Sequence, residues 1–393
     1  MFNSLINISR GAKIASIIVT IVVGLVTTAI WKTGEWWTDK PFFEPYIAVV
    51  LAREQIDFGI PAEFQAGFDS NTKNTGDYFV SHDEKKIRIQ KLEDFGSIDE
   101  ANRIANVLLK DENCILVLGS SNSTVTAATL DVFLTSKNPP AYILPIATAT
   151  NLLSKAHTNG HDAVLRMVPK NEEQATEIQK LALTLYNQPR VAIYGDQENP
   201  LYSEDLIRDI SSKIREAGGS ILVEEMIGPT SSFYNSLPVW DLKRPPQVII
   251  YAGVAHHGFL LIDQLKELEI SVPLIFTDGS MISELIENIS KIPNKAFVLS
   301  PVGNKTQPEV FPTYEAIGKD AYTLLNKFVK SCGDCDRTKM REIVSDAKNK
   351  RYLENGAAGD YYFDAFGENS AMPFLVYEIT GGKFELKSSF QKE

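Results

Sequence analysis

From about residue 45 onward the chain alternates two kinds of apolar pattern. Short unbroken runs such as Tyr46-Ile47-Ala48-Val49-Val50 and Cys114-Ile115-Leu116-Val117-Leu118 have the length and β-branched content of strands buried on both faces. Further strands are predicted at 87–90, 141–144, 191–194, 220–225, 247–251 and 273–276. Between them lie stretches of helical period. The segment 98–110 is preceded by Ser97, with Glu100 three residues on, which is a capping box. Further helices are predicted from the serine-rich turn to Phe133, over 202–217 with Gly218 and Gly219 as its stop, and over 259–268. Strand followed by helix, repeated this often, predicts α/β architecture with parallel sheets covered on both faces, and the length suits two such sheets.

The tail departs from the alternation. Helices are predicted at 321–330 and 339–348, followed by strands at Tyr361-Tyr362-Phe363-Asp364 and Phe374-Leu375-Val376-Tyr377-Glu378, read as hairpins around Gly367 and Gly381-Gly382. At the other end, 14–31 is an uncharged apolar run of 18 residues. As a helix it would measure about 27 Å, near the hydrocarbon thickness of a bilayer. Arg10 and Lys13 precede it, and Trp31, Trp36 and Trp37 stand where an interfacial belt would lie. The reading is a transmembrane anchor over 14–31 and a tether over 32–44. A cleaved signal peptide is the alternative. Both readings export the bulk of the chain.

Composition narrows the classes. The 393 residues carry 39 basic and 50 acidic side chains, a net charge of −11, which argues against a nucleic-acid partner. Three cysteines do not make a disulfide framework. Cys114 reads as a core residue, while Cys332-Gly333-Asp334-Cys335 is either a local disulfide or a surface loop with two thiols. No zinc site is apparent, because a second ligand pair is missing. His256 and His257 are adjacent, and neighbours on a helix or strand do not face one metal, so they read as surface or lining residues. His157 and His161 have ligand spacing but enclose Thr158-Asn159-Gly160, a loop-like stretch. No phosphate-cradling or dinucleotide motif and no nucleophile elbow occurs, so no cofactor, metal or catalytic residue is assigned.

The chemistry lies at strand ends. Gly119-Ser120-Ser121-Asn122-Ser123-Thr124 and Pro145-Ile146-Ala147-Thr148-Ala149-Thr150 each follow an apolar strand and offer hydroxyls and backbone N–H groups to one spot, suited to a carboxylate. Thr277-Asp278-Gly279 follows another strand and adds an acidic group. Anion binders plus one carboxylate describe a pocket for an amino acid zwitterion. Each residue also has a plain structural reading: Ser123 as a helix cap, Thr148 as a turn residue, Asp278 as a cap or turn former.

These segments, in this order, resemble the type I periplasmic binding proteins. The similarity is greatest to the branched-chain amino acid (Leu/Ile/Val) binding proteins of ABC importers. The likeness runs through Lys91-Leu92-Glu93-Asp94, the turn and helix 119–133, Pro145-Ile146-Ala147-Thr148 and the hairpin Phe363-Asp364-Ala365-Phe366-Gly367. It implies two doubly wound parallel-sheet lobes joined by a hinge, lobe 1 at 45–165 and 301–360, lobe 2 at 166–300 and 361–390. It also implies that Ser123 and Thr148 bind a ligand carboxylate, that the Ile146 carbonyl and Asp278 take its ammonium, and that Tyr202 closes over it. Two stretches depart from the family pattern. Val254 stands where an aromatic is usual, and Ala52-Arg53-Glu54-Gln55 lacks the usual Gly and Ser.

The expectation is therefore a membrane-tethered, extracytoplasmic solute-binding protein, not an enzyme, for an amino acid or similar small carboxylate. Its partner would be an ABC permease. The alternative is a sensing or docking ectodomain of the same fold that reports to a membrane partner.

Overall fold

The computed structural model describes residues 44–51, 59–228, 244–301 and 313–387. The expected anchor at 14–31, the tether and the stretch 52–55 lie outside these residues. Among the described residues no helix is long and apolar enough to cross a membrane.

The first sheet has six strands: β1 Tyr46–Val50, β2 Tyr78–Val80, β3 Lys86–Leu92, β4 Cys114–Gly119, β5 Ala141–Leu144 and β6 Val164–Arg166. Their order is β2-β3-β1-β4-β5-β6, all parallel except the antiparallel edge strand β2. The order reverses between β1 and β4, so the carboxyl ends of these strands open a crevice there. Helices α1 Ile60–Thr75, α2 Ile98–Lys110, α3 Ser123–Phe133 and α4 Leu152–Thr158 follow β1, β3, β4 and β5. Ser97 caps α2 as expected, its hydroxyl accepting the Glu100 amide at 3.4 Å.

The second sheet contains β7 Arg190–Asp196, β8 Ser220–Ile227, β9 Val248–Ala252, β10 Leu274–Phe276, β11 Ala296–Pro301, β14 Phe374–Thr380 and β15 Lys383–Leu386. Its order, β15-β14-β11-β10-β9-β7-β8, reverses between β7 and β9. Helices α5 Asn171–Leu185, α6 Pro200–Glu216, α7 Ala255–Glu267 and α8 Ser283–Ile289 belong with it. The chain then returns to the first lobe through α9 Thr313–Lys330 and α10 Arg337–Asp346.

Helix α9 closes on α1 at glycines. A Cβ at Gly67 would overlap the Glu315 carbonyl, and one at Gly318 would overlap that of Phe64, so the two backbones touch. Around that contact Phe64, Phe68, Ile317 and Leu324 are fully buried. Arg337, at the start of α10, is 4% exposed. Its guanidinium donates to the carbonyls of Leu108, Leu109, Asp111, Cys114 and Asn138. Several of these belong to the last turn of α2, where a cation answers both the orphan carbonyls and the helix dipole.

Two tail expectations change. The strands at 361 and 374 do not form a hairpin around Gly367. β13 Tyr361–Phe363 pairs with β12 Lys350–Leu353 in a separate two-stranded sheet, and β14 pairs with β11 and β15. The glycine pair Gly381-Gly382 does turn β14 into β15, with φ of 57° and 76°. The passage between lobes expected near Tyr361 also lies later, because Tyr361, Phe363 and Met372 sit in the first core while Phe374 sits in the second. Of the two readings of Cys332 and Cys335 the disulfide holds: the two are joined and both are buried, with Asp334 exposed between them.

Candidate functional site

Both sheets direct the carboxyl ends of their strands toward one cavity of about 90 Å³. Helix beginnings converge on it: Gly59, Ile60 and Pro61 of α1, Asn122 and Ser123 of α3, Asn199 before α6, Val254 before α7 and Tyr314 of α9. Each start leaves amide donors outside the helix ladder and carries the positive end of a dipole.

On the first lobe the turn after β4 is held by a buried acid. Asp94, fully buried, accepts from the amides of Gly96 and Ser121, both at 3.0 Å, and from the Ser121 hydroxyl. Burial raises its pKa, and the hydrogen bonds from Ser121 and Gly96 oppose the rise. Asn122 caps α3 by accepting the Val125 amide at 2.9 Å. The Ser123 oxygen accepts the amides of Thr148 and Ala149, each at 3.2 Å. With both lone pairs occupied, the function the hydroxyl can still offer is its proton. Ser123 thus ties the β4 and β5 turns together and presents a donor to the cavity it lines.

On the second lobe Asp278 opens one turn of 3-10 helix after β10 and is 2% exposed. Its Oδ1 accepts from Gln174 Nε2 at 2.5 Å and Tyr202 Oη at 2.7 Å, and its Oδ2 accepts from Tyr314 Oη at 2.7 Å. Burial raises the pKa of this carboxyl, while the bonds from Tyr314, Tyr202 and Gln174 oppose the rise. Burial also pushes both phenols well above their usual range, so they are neutral donors. Among the described residues the carboxylate's partners are all uncharged.

Tyr314 belongs to the first core, so its bond to Asp278 crosses the cleft. Other polar contacts cross beside it. Asn199 Oδ1 accepts from the Thr124 amide at 3.2 Å and hydroxyl at 2.9 Å, and Asp205 accepts the Thr150 amide at 2.7 Å. The two lobes are closed on one another.

Of the residues expected from sequence, Ser123, Ile146, Tyr202 and Asp278 line the cavity. Thr148 lies outside the lining, 1% exposed, with its amide bound to Ser123. Val254, at the position that departs from the family, forms part of the wall. Tyr314, Gln174, Asn122 and Asn199 were not anticipated. Asn122 and Asn199 had a usable signal, since both precede helices. Tyr314 and Gln174 had none, because helix periodicity does not reveal which polar residue reaches a distant acid.

No protein-family model matches the chain. A curated relative, "Leu/Ile/Val-binding protein homolog 2" of Brucella abortus, is 23% identical over 287 residues, 70% of this chain and 75% of that protein. Among solved structures, the leucine-binding protein LivK of Thermotoga maritima superposes with a TM-score of 0.74 at 19% identity, covering 88% of this chain and 98% of that one. The fold is that of the type I periplasmic binding proteins. The branched-chain amino acid transporter substrate-binding protein LivJ of Streptococcus pneumoniae, in complex with isoleucine, gives 0.68 at 18% identity, covering 87% and 98%. A solute-binding protein of an ABC transporter from R. palustris, in complex with benzoate, gives 0.72 at 14% identity, covering 87% and 95%. One fold thus holds ligands with and without an ammonium group, and the lining residues must distinguish them.

Proposed function

We propose that this chain is an extracytoplasmic solute-binding protein for a small aliphatic amino acid, delivering it to an ABC-type importer and held at the membrane by residues 14–31. The observation that carries the reading is Asp278, a buried carboxylate on the cavity wall whose described partners are all neutral. An unpaired buried charge is costly, and a ligand ammonium would offset that cost. Opposite it, the Ser123 hydroxyl and the start of α3 supply the environment a carboxylate needs without a basic side chain. Ser123 would contact the ligand carboxylate, with Thr148 acting through Ser123. The Ile146 carbonyl and Asp278 would take the ammonium. Ile60, Pro61, Ile146 and Val254 give the side-chain end an apolar wall. The cavity is small beside the about 300–1,000 Å³ of drug-sized sites, which favours a compact ligand. The names of the Brucella abortus relative and of the leucine and isoleucine binders agree with this reading.

One observation favours the second reading, a docking or sensing ectodomain. Gln174 and Tyr202 of its own lobe already give Asp278 two donors, and Tyr314 reaches across the cleft to give a third, so one of the chain's own contacts occupies Asp278 and ties the lobes together. A thermal-shift screen of the twenty amino acids and benzoate separates the cases. A ligand at a hundred times its dissociation constant adds about 2.7 kcal/mol of stability, a shift of several degrees. Stabilisation by a branched or smaller aliphatic amino acid, and none by benzoate, is the expected result. Stabilisation by benzoate alone would make the ligand a plain carboxylate. Silence throughout would leave the docking role.

A further inference from the structure

At the carboxyl edge of the second sheet, strands β7 and β9 are neighbours in register, Gly195 beside Ala252. That pairing sets the turn after β7, which carries Asp196 and Glu198, against the start of α7, which carries His256 and His257. The two imidazoles, expected from their adjacency to diverge, come together with ring centroids 3.9 Å apart. His257 is fully buried and His256 is half-exposed. Glu198 spans both. One of its oxygens lies 3.8 Å from His256 Nδ1 and the other 3.8 Å from His257 Nε2.

The orientation of His257 is fixed from behind. Its Nδ1 is 2.9 Å from Oδ1 of Asp196, a fully buried carboxylate. Asp196 is itself held by the amides of Glu198 at 2.8 Å and Val254 at 3.2 Å. A carboxylate only accepts, so in the neutral ring the proton belongs on Nδ1 and the Nε2 lone pair faces away from Asp196. That Nε2 is buried and has no hydrogen-bond partner among the described residues. A carboxylate behind one imidazole nitrogen and an unsatisfied lone pair at the other is how proteins orient a histidine that binds a metal.

We propose that Glu198, His256 and His257 form a site for a divalent transition-metal ion such as Zn²⁺, with Asp196 as the positioning residue. The three side chains offer ligand atoms all within 4.8 Å of one another. Bonds of about 2.0–2.1 Å in tetrahedral geometry put ligand atoms about 3.4 Å apart, so atoms that lie within 4.8 Å of one another must draw in by up to about 1.4 Å, a shift the half-exposed Glu198 and His256 side chains can make. Two imidazoles and one carboxylate select Zn²⁺, Ni²⁺ or Co²⁺ over Mg²⁺ and Ca²⁺, which prefer oxygen ligands. The helix start at α7 repels a cation, but Asp196 and Glu198 outweigh its half charge. Three protein ligands leave a fourth position to solvent on the exposed side of His256.

The site does not use the residues assigned to the amino acid, so its test is independent of that assignment. Calorimetric titration of the untagged protein with zinc chloride should show one equivalent bound with a dissociation constant of about 100 µM or tighter. His256→Ala and Glu198→Gln change exposed side chains and leave the core intact. Each should weaken binding at least about tenfold, since losing even an outer-shell partner of a metal site costs about 10–100-fold and these are direct ligands. His157→Ala, at the other candidate histidine pair, should leave it unchanged. Weaker binding by the parent protein, affinity retained in either of the first two variants, or loss in His157→Ala would overturn the proposal.

Discussion

Replacing Asp278 by Asn isolates the charge on which the ligand assignment turns. The side chain keeps its shape, and its neighbours can adapt. The amide oxygen would face Tyr202 and Gln174, which now share Oδ1, and the amide nitrogen would face Tyr314, whose hydroxyl can rotate to accept. The fold should therefore survive, and affinity should report the lost ion pair. A hydrogen bond between charged groups contributes about 1.5–3 kcal/mol, or about ten- to a hundredfold in affinity. A bare Coulomb figure at 4 Å and an effective dielectric of 20 is about 4 kcal/mol, an upper limit because both ions lose water. The assay is calorimetric titration with L-valine and, in parallel, with 3-methylbutanoate, which has the same skeleton without the amine. Asp278→Asn should lose ten- to a hundredfold for valine and change little for 3-methylbutanoate. The pH profile adds a second test. Burial raises the Asp278 pKa, so the carboxyl takes up its proton at a higher pH than an exposed aspartate does. Valine affinity should fall as pH drops through that range, and the variant should lack this fall. Equal losses for both ligands, or an unaltered valine affinity, would refute the assignment.

Two further outcomes follow, one from the cavity and one from a buried histidine away from it. Ser123→Ala deprives the Thr148 and Ala149 amides of their acceptor, so urea unfolding should show a loss of about 1–3 kcal/mol, and valine should bind more weakly. Burial lowers the pKa of His161 to about 3, so protons bind the unfolded chain first between that value and the ordinary 6.5. Stability from this group is therefore complete above pH 6.5 and declines as pH falls; by pH 5 the parent should lose about 2 kcal/mol relative to His161→Gln in paired urea titrations.

The fold was legible wherever one element kept one period. Strands β4, β5, β7, β9 and β10 are unbroken apolar runs and came out within a residue or two. The capping box at Ser97 fixed the start of α2 because a side chain there does a local job. Failures fall where tertiary contacts override the pattern. Helix α1 carries Ser70, Asn71, Thr72 and Lys73 in its second half and shows no strong apolar stripe, yet Gly67, Phe64 and Phe68 dock it on α9. Strand β12 begins Lys350-Arg351, which reads as surface coil until β13 pairs with it. The supposed hairpin partners β13 and β14 are both apolar, and nothing local tells them which sheet to join.

The cavity divides along the same line. Ser123, Ile146 and Asp278 follow strands, and a doubly wound sheet delivers strand ends to one crevice whatever lies between them. Tyr314 and Gln174 reach Asp278 across 36 and 104 positions of chain, and only the folded molecule makes them neighbours. Their placement bears on how the cleft works. The contacts that close the lobes, Tyr314 to Asp278, Thr124 to Asn199 and Thr150 to Asp205, are polar, and in water each side would be satisfied separately. The two contacts to carboxylates contribute about 1.5–3 kcal/mol apiece and the neutral one about 0.5–1.5 kcal/mol, set against the desolvation of the Asp278 carboxylate, 2% exposed in the closed cleft. Under the function proposed above, the balance between open and closed would turn on the charge of Asp278. A ligand ammonium would offset that desolvation, so under the same reading recognition of the amine and closure of the lobes would be one event.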